Sequence, residues 1–270
     1  MSVRITWGCS PLGIAIPAAL LIGSTAMVVA ALAMSACSSA PVSTIGALDP
    51  RLAWPCDRIV LEWAIETDRL QQMVGSPLEV RQAQGVSRLQ LHVMQCEPQR
   101  PGHPASKALS YAYVLVPVSG RTAPIGITGI PDDGWFALPL AVTSGAGRAL
   151  LEDFGYVVIE AAQHFAINQS KGDMVVAIEL KFDRGRISIV AGTTGESSYE
   201  NRSTAILGRG DGFVSAYFGA EECESFTLSA RVSLTGQTPL SEFNLRSTPL
   251  AAKLCRRLVS DRVYWRLPAG

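Results

Sequence analysis

MVVAIELKFDRGRISIVA, residues 174–191, consists of two β-forming runs around a turn. Met174 to Phe182 and Ile187 to Ala191 are rich in Val and Ile, and Asp183-Arg184-Gly185 between them has the composition of a hairpin turn. Outward from this hairpin the same texture recurs. Tyr156 to Ile167 precedes it, and Phe213 to Phe218 and Phe226 to Leu234 follow. Upstream, strands are expected at Ile59–Ile65, Val86–Gln95, Tyr111–Val118 and Ile125–Ile130. Leu89, Leu91 and Val93 alternate onto one side of their strand. Asp132-Asp133-Gly134 reads as a turn, and Thr193–Asp211, polar and poor in periodicity, as a connection. Three helices are expected: Arg69–Val74 capped by Asp68, Ser144–Phe154 closed by Gly155, and Leu250–Val259 with Leu250, Leu254 and Leu258 at spacing four. Many short strands and few helices predict a mainly β (α+β) domain. The expected form is a cone-shaped or closed antiparallel β-barrel with a few short helices, occupying residues 56–270.

The N-terminus is different in kind. Met1 to Trp7 carries one basic residue, Arg4, and Pro11 to Ala36 carries no charge. That apolar run ends in Met34-Ser35-Ala36-Cys37, which is similar to the bacterial lipobox with Met34 in place of the usual Leu. Residues 1–36 then form a lipoprotein signal peptide, and residues 37–55 a lipidated Cys37 and a flexible Ser/Ala/Pro/Thr tether. The chain would be held on the outer membrane (periplasmic face) or on the outer face of the plasma membrane. An uncleaved spanning helix and ordinary cleavage without lipid are the alternatives.

The formal net charge is zero and no basic stripe exists, which argues against nucleic acid as a partner. Protein partners are not indicated. Of the six cysteines, Cys9 falls in the signal and Cys37 at the anchor. Cys56, Cys96, Cys223 and Cys255 remain, an even set that reads as two disulfides in an exported domain. Of the three connectivities, Cys56–Cys96 and Cys223–Cys255 join neighbouring segments. No Cys-x-x-Cys pair or Cys near His suggests a metal, and no cofactor is expected.

The order of several features resembles the acetoacetate decarboxylase-like superfamily. These are the strand and short helix through Ile65–Val74, the segment Tyr111-Ala112-Tyr113-Val114-Leu115-Val116-Pro117-Val118, the helix and turn of Ala146–Ile159, and the extended hairpin Gln163–Ala191. The resemblance implies a cone-shaped barrel around a small-molecule cavity. It also implies a Lys amine that forms a Schiff base with a β-keto acid. Here Val157 and Val158, or their neighbours, fill the two Lys positions, no Lys lies between Lys107 and Lys171, and Tyr113 stands where an acid is expected. Without the amine there is no imine, so Schiff-base decarboxylation is not expected.

Glu160, Ala162 and His164 share one face of an extended run. Facing inward, Glu160 and His164 would form a general acid/base pair or bind a polar ligand group; facing outward, they are solvated surface. His92 is read as pointing outward and His103 as a loop residue. Asp132, Asp133 and Trp135 form an acidic-aromatic loop, read first as a plain turn, with a pocket rim or a calcium contact as the alternatives. The reading that results is a non-catalytic binder of a small, largely apolar molecule, with Tyr113, Trp135, Tyr156, Glu160 and His164 at the pocket. The alternatives are a lyase or hydrolase using Glu160 and His164, and a structural or assembly lipoprotein with a solid core.

Overall fold

Alternation of side chains, rather than helical periodicity, organises the chain. A computed structural model describes residues 56–74, 78–96, 109–119, 133–143, 158–170, 173–210 and 213–268. The elements are β1 (Cys56–Glu66), α1 (Thr67–Val74), β2 (Glu79–Val80), β3 (Val86–Cys96), β4 (Leu109–Ser119), β5 (Asp133–Thr143), β6 (Val158–Ile159), β7 (Ala162–Ser170), β8 (Asp173–Lys181), β9 (Gly185–Gly210), β10 (Phe213–Gly236), a 3₁₀ turn (Ser241–Phe243) and β11 (Ala251–Pro268). The eleven strands form one sheet in the order β6-β5-β4-β3-β1-β11-β10-β9-β8-β7, with β2 beside β4. Pairing is antiparallel except where β5 meets β6 and, through Trp135–Phe136 and Ile206–Leu207, β9. The mainly antiparallel β architecture is the one expected. The sheet is not closed end to end, since β6 and β7 are its two edges, but the short β5–β9 contact curls it into a cone-like form.

The core lies on the concave face. Ile59, Leu61 and Trp63 of β1, Leu89, Leu91 and Val93 of β3, and Val114 and Val116 of β4 all point there. Val176 and Ile178 of β8 and Ile187 and Ile189 of β9 complete it. Each is a period-two position, so one face of every strand is apolar. The opposite face of β1, β3, β4 and β11 holds a smaller cluster: Met94, Tyr111 and Leu258 around all four domain cysteines. Cys56 and Cys96 are direct partners in the β1–β3 register and are bonded to each other. Cys223 is bonded to Cys255 beside a register shift between β10 and β11. Both pairings match the expected ones.

Four expectations are corrected. Leu250–Val259 is not a helix but the start of β11: Ala252 and Leu254 are buried, Leu250 and Lys253 exposed. Spacing four satisfies a period of two as well as 3.6, and pairing to β1 and β10 decides the matter. Thr193–Asp211 is no loose connection; through Gly210 it extends β9, paired with β10 as far as Phe213. Residues 194–199 of that extension are exposed, so neither face carries the apolar alternation that marks a strand. Trp135 belongs to β5 rather than to an acidic-aromatic loop, paired opposite Pro117 of β4. His92 is buried, at 3% exposure, rather than outward in solvent, because the convex face of β3 is itself covered. Residues 1–55, the expected strand Ile125–Ile130, the expected helix Ser144–Phe154, His103 and Tyr156 lie outside the described residues. Among the described residues no helix is long and apolar enough to cross a membrane.

One close approach fixes the end of the β8–β9 hairpin against the exit of β10. Gly236 has φ +67°, and a Cβ there would stand 2.2 Å from the Arg184 carbonyl oxygen. Gln237 N–H donates to that same oxygen at 2.9 Å. Gly236→Ala is therefore expected to destabilise the domain by about 1–3 kcal/mol from backbone strain alone. A fall in the urea midpoint with an unchanged slope is the readout; an unchanged midpoint counts against this geometry.

Candidate functional site

A cleft of about 440 Å³ opens at the end of the cone where these turns meet. Its floor is core surface. Val114 and Leu138 are register partners on β4 and β5. Ile159 arrives on β6 through its parallel pairing with Val142. Phe182 stands just past β8, held by its N–H donating to the Gly185 carbonyl at 2.9 Å. Phe243 is delivered by the 3₁₀ turn, which Ser241 locks by accepting from Thr238 N–H at 2.8 Å. The Arg69 guanidinium lies over the Phe243 ring, 5.7 Å from its centre. Polar groups stand at the rim: Glu160, Asp183, Arg184 and Glu242. An apolar floor with a few polar groups at its edge, at this volume, is the usual composition of a small-molecule pocket.

Of the four expected pocket residues that are described, one lines this cleft. Glu160 stands at its rim and is exposed. His164 is exposed on β7, opposite Glu179 of β8, and does not line the cleft. The inward residues of β7 are the intervening ones, Gln163, Phe165 and Ile167; Gln163 Nε2 donates to the Met94 carbonyl at 3.0 Å. The acid/base pair that an enzyme reading needs is thus not assembled in the cleft. Tyr113 and Trp135 are half-buried on the convex face, because Val114 and Phe136 take the concave one. Among the described residues no group of three His, Cys, Asp or Glu is placed to hold a metal.

The convex face carries a polar ladder that sequence reading did not find. Arg88 pairs with Glu62 Oε1, Gln90 Nε2 donates to Glu62 Oε2 at 2.8 Å, and His92 Nε2 lies 2.9 Å from Gln90 Oε1. Because the Gln90 amide N–H is spent on a carboxylate, its oxygen is the acceptor and His92 Nε2 the donor. The His92 ring stacks on Tyr113 at 5.0 Å, and Tyr113 on Tyr111 at 5.7 Å. These contacts brace the buried Glu62 and His92 side chains. The signal was the cross-strand register, which places Glu62 opposite Gln90 and His92 opposite Tyr113; it is invisible until the strands are paired.

No protein-family profile matches the sequence, and no curated protein matches it. Solved structures similar to it include an acetoacetate decarboxylase, with 11% identity, a TM-score of 0.49, and coverage of 80% of this chain and 88% of that one. The acetoacetate decarboxylase of Legionella pneumophila is similar at 12% identity and TM-score 0.49, over 83% and 88% of the two chains. The enduracididine biosynthesis enzyme MppR, complexed with pyruvate, is similar at 13% identity and TM-score 0.45, over 80% and 88%. At such identity no functional residue carries over to this chain.

Proposed function

We propose that this chain is an exported lipoprotein, anchored through Cys37, whose β domain binds a small, largely apolar molecule without transforming it. The cleft carries this reading: its floor of Val114, Leu138, Ile159, Phe182 and Phe243 offers apolar contact, and its charged groups, Glu160, Asp183, Arg184 and Glu242, are exposed. A solid-core structural role leaves such a cleft without purpose. A catalytic role would have to draw on the rim carboxylates Glu160, Asp183 and Glu242, since His164, the base expected to work with Glu160, does not line the cleft.

Native mass spectrometry of the protein released from its own envelope tests the reading. A co-purified small molecule is expected, and Ile159→Arg, which sets a charge on the half-buried edge of the floor, is expected to remove it while the domain stays folded. An empty wild-type protein, or a ligand that Ile159→Arg retains, overturns the assignment to this cleft. The anchor is tested separately. Radioactive fatty acid is expected to label the wild type and not Cys37→Ala, and equal labelling of both refutes lipidation at Cys37.

A further inference from the structure

The sheet ends at β7, and β7 lacks the devices that usually protect an edge. Strand edges present unpaired N–H and C=O groups, and proteins blunt them with Lys, Pro, bulges or short length. The nine residues of β7, AQHFAINQS, contain no Lys, Arg, Asp, Glu, Pro or Gly. Its pairing with β8 runs without a register shift from Ala162–Lys181 to Ser170–Asp173. Among the described residues no strand pairs with its other side. The inward side chains show the same incompleteness. Val176 and Ile178 of β8 are at 0% and 3% exposure, whereas their β7 neighbours Ile167 and Phe165 are only half-buried.

We propose that β7 is the interface to a second copy of this chain, paired antiparallel to its own counterpart across a two-fold axis at Ala166. The sequence is self-complementary about that residue. In this register Ala166 meets Ala166, Phe165 meets Ile167, His164 meets Asn168, Gln163 meets Gln169 and Ala162 meets Ser170. No like charges are opposed, small residues sit at the axis, and the half-buried Phe165 and Ile167 cover each other across the dyad. This is the isologous geometry of a cyclic dimer, and it turns two exposed edges into one continuous sheet. No β7 residue lines the cleft, so variants on β7 test dimerisation without altering the cleft lining.

Cysteine scanning of the full chain in its own membrane tests the register. Ala166→Cys is expected to shift the protein to a disulfide-linked dimer on a non-reducing gel. The double variant Ala162→Cys/Ser170→Cys is expected to do the same. Ser229→Cys, exposed on β10 away from the edge, is expected to remain monomeric. Ala166→Arg, which sets two guanidinium groups face to face at the axis, is expected to abolish capture of the dimer by a lysine-independent photo-cross-linker while the co-purified ligand is retained. Failure of both cysteine variants to link, linking of Ser229→Cys to the same extent, or a dimer that survives Ala166→Arg each overturns the proposal.

Discussion

Replacing Cys56 and Cys96 together by Ala is expected to lower the unfolding free energy by about 4 kcal/mol, and replacing Cys223 and Cys255 by nearly as much. The two bridges span 40 and 32 residues of sequence. Loop-closure entropy depends on the logarithm of that length, so the two costs are close. Losses of this size are a large part of the stability of an ordinary domain. The two costs are also coupled. Both bridges pack with Met94, Tyr111 and Leu258 in one buried cluster, and the buried Arg58 guanidinium approaches Cys255 Sγ at 3.9 Å. Loss of one bridge loosens the packing around the other, so the four-Cys variant departs from the sum of the two pairs. Urea unfolding of the oxidised protein against the same protein in a thiol reductant is the simplest measurement. The midpoint is expected to fall on reduction to that of the cysteine variants; a midpoint indifferent to reductant refutes the bracing role.

The hairpin of residues 174–191 was legible because both features that define it are local. Val176, Ile178, Leu180, Ile187 and Ile189 alternate, and the turn residues lie between them. The disulfides were legible for a related reason, since each joins strands near in sequence. Legibility failed where a residue's environment is set by its neighbour across the sheet. Leu250, Leu254 and Leu258 fit a helix until β1 and β10 are seen on either side. Residues 194–199 of β9 are exposed and have no apolar face to advertise, and from Ser197 on backbone pairing with β10 holds the strand. The candidate site failed in the same way. Tyr113, Trp135 and His164 look like pocket residues because they are aromatic or titratable. Alternation sends them to the convex or solvent side, and aliphatic Val114, Leu138 and Ile159 to the cleft. An apolar binding floor has the same composition as a core, so the sequence alone does not separate the two. Phe243 and Glu242 were missed because a 3₁₀ turn of three residues carries no periodic signal.

Trp63→Ala is expected to cost about 3–5 kcal/mol and to weaken the cleft as well as the core. Trp63 is at 3% exposure on the concave face of β1, and its indole N–H donates to the Arg246 carbonyl at 2.9 Å. The segment it holds, residues 237–250, runs from β10 to β11 and supplies one wall of the cleft through Pro239, Glu242 and Phe243. Besides Gln237 N–H on the Arg184 carbonyl and Arg69 over the Phe243 ring, a small set of contacts fastens that segment. Val232 N–H donates to the Ser247 carbonyl, Leu250 N–H to the Glu62 carbonyl at 2.7 Å, and Leu240 and Phe243 are buried in the core. Trp63→Phe separates the two contributions. It keeps most of the apolar contact and leaves the Arg246 carbonyl without its donor, at a cost of about 1–3 kcal/mol. With Trp63→Phe, hydrogen exchange is expected to accelerate at Leu250 and Phe243 more than at core positions such as Leu91 or Ile178, because the loss opens a wall rather than the sheet. Ligand retention is expected to fall with it. Uniform acceleration across the domain, or an unchanged rate at Leu250, contradicts the claim that Trp63 holds the cleft wall in place.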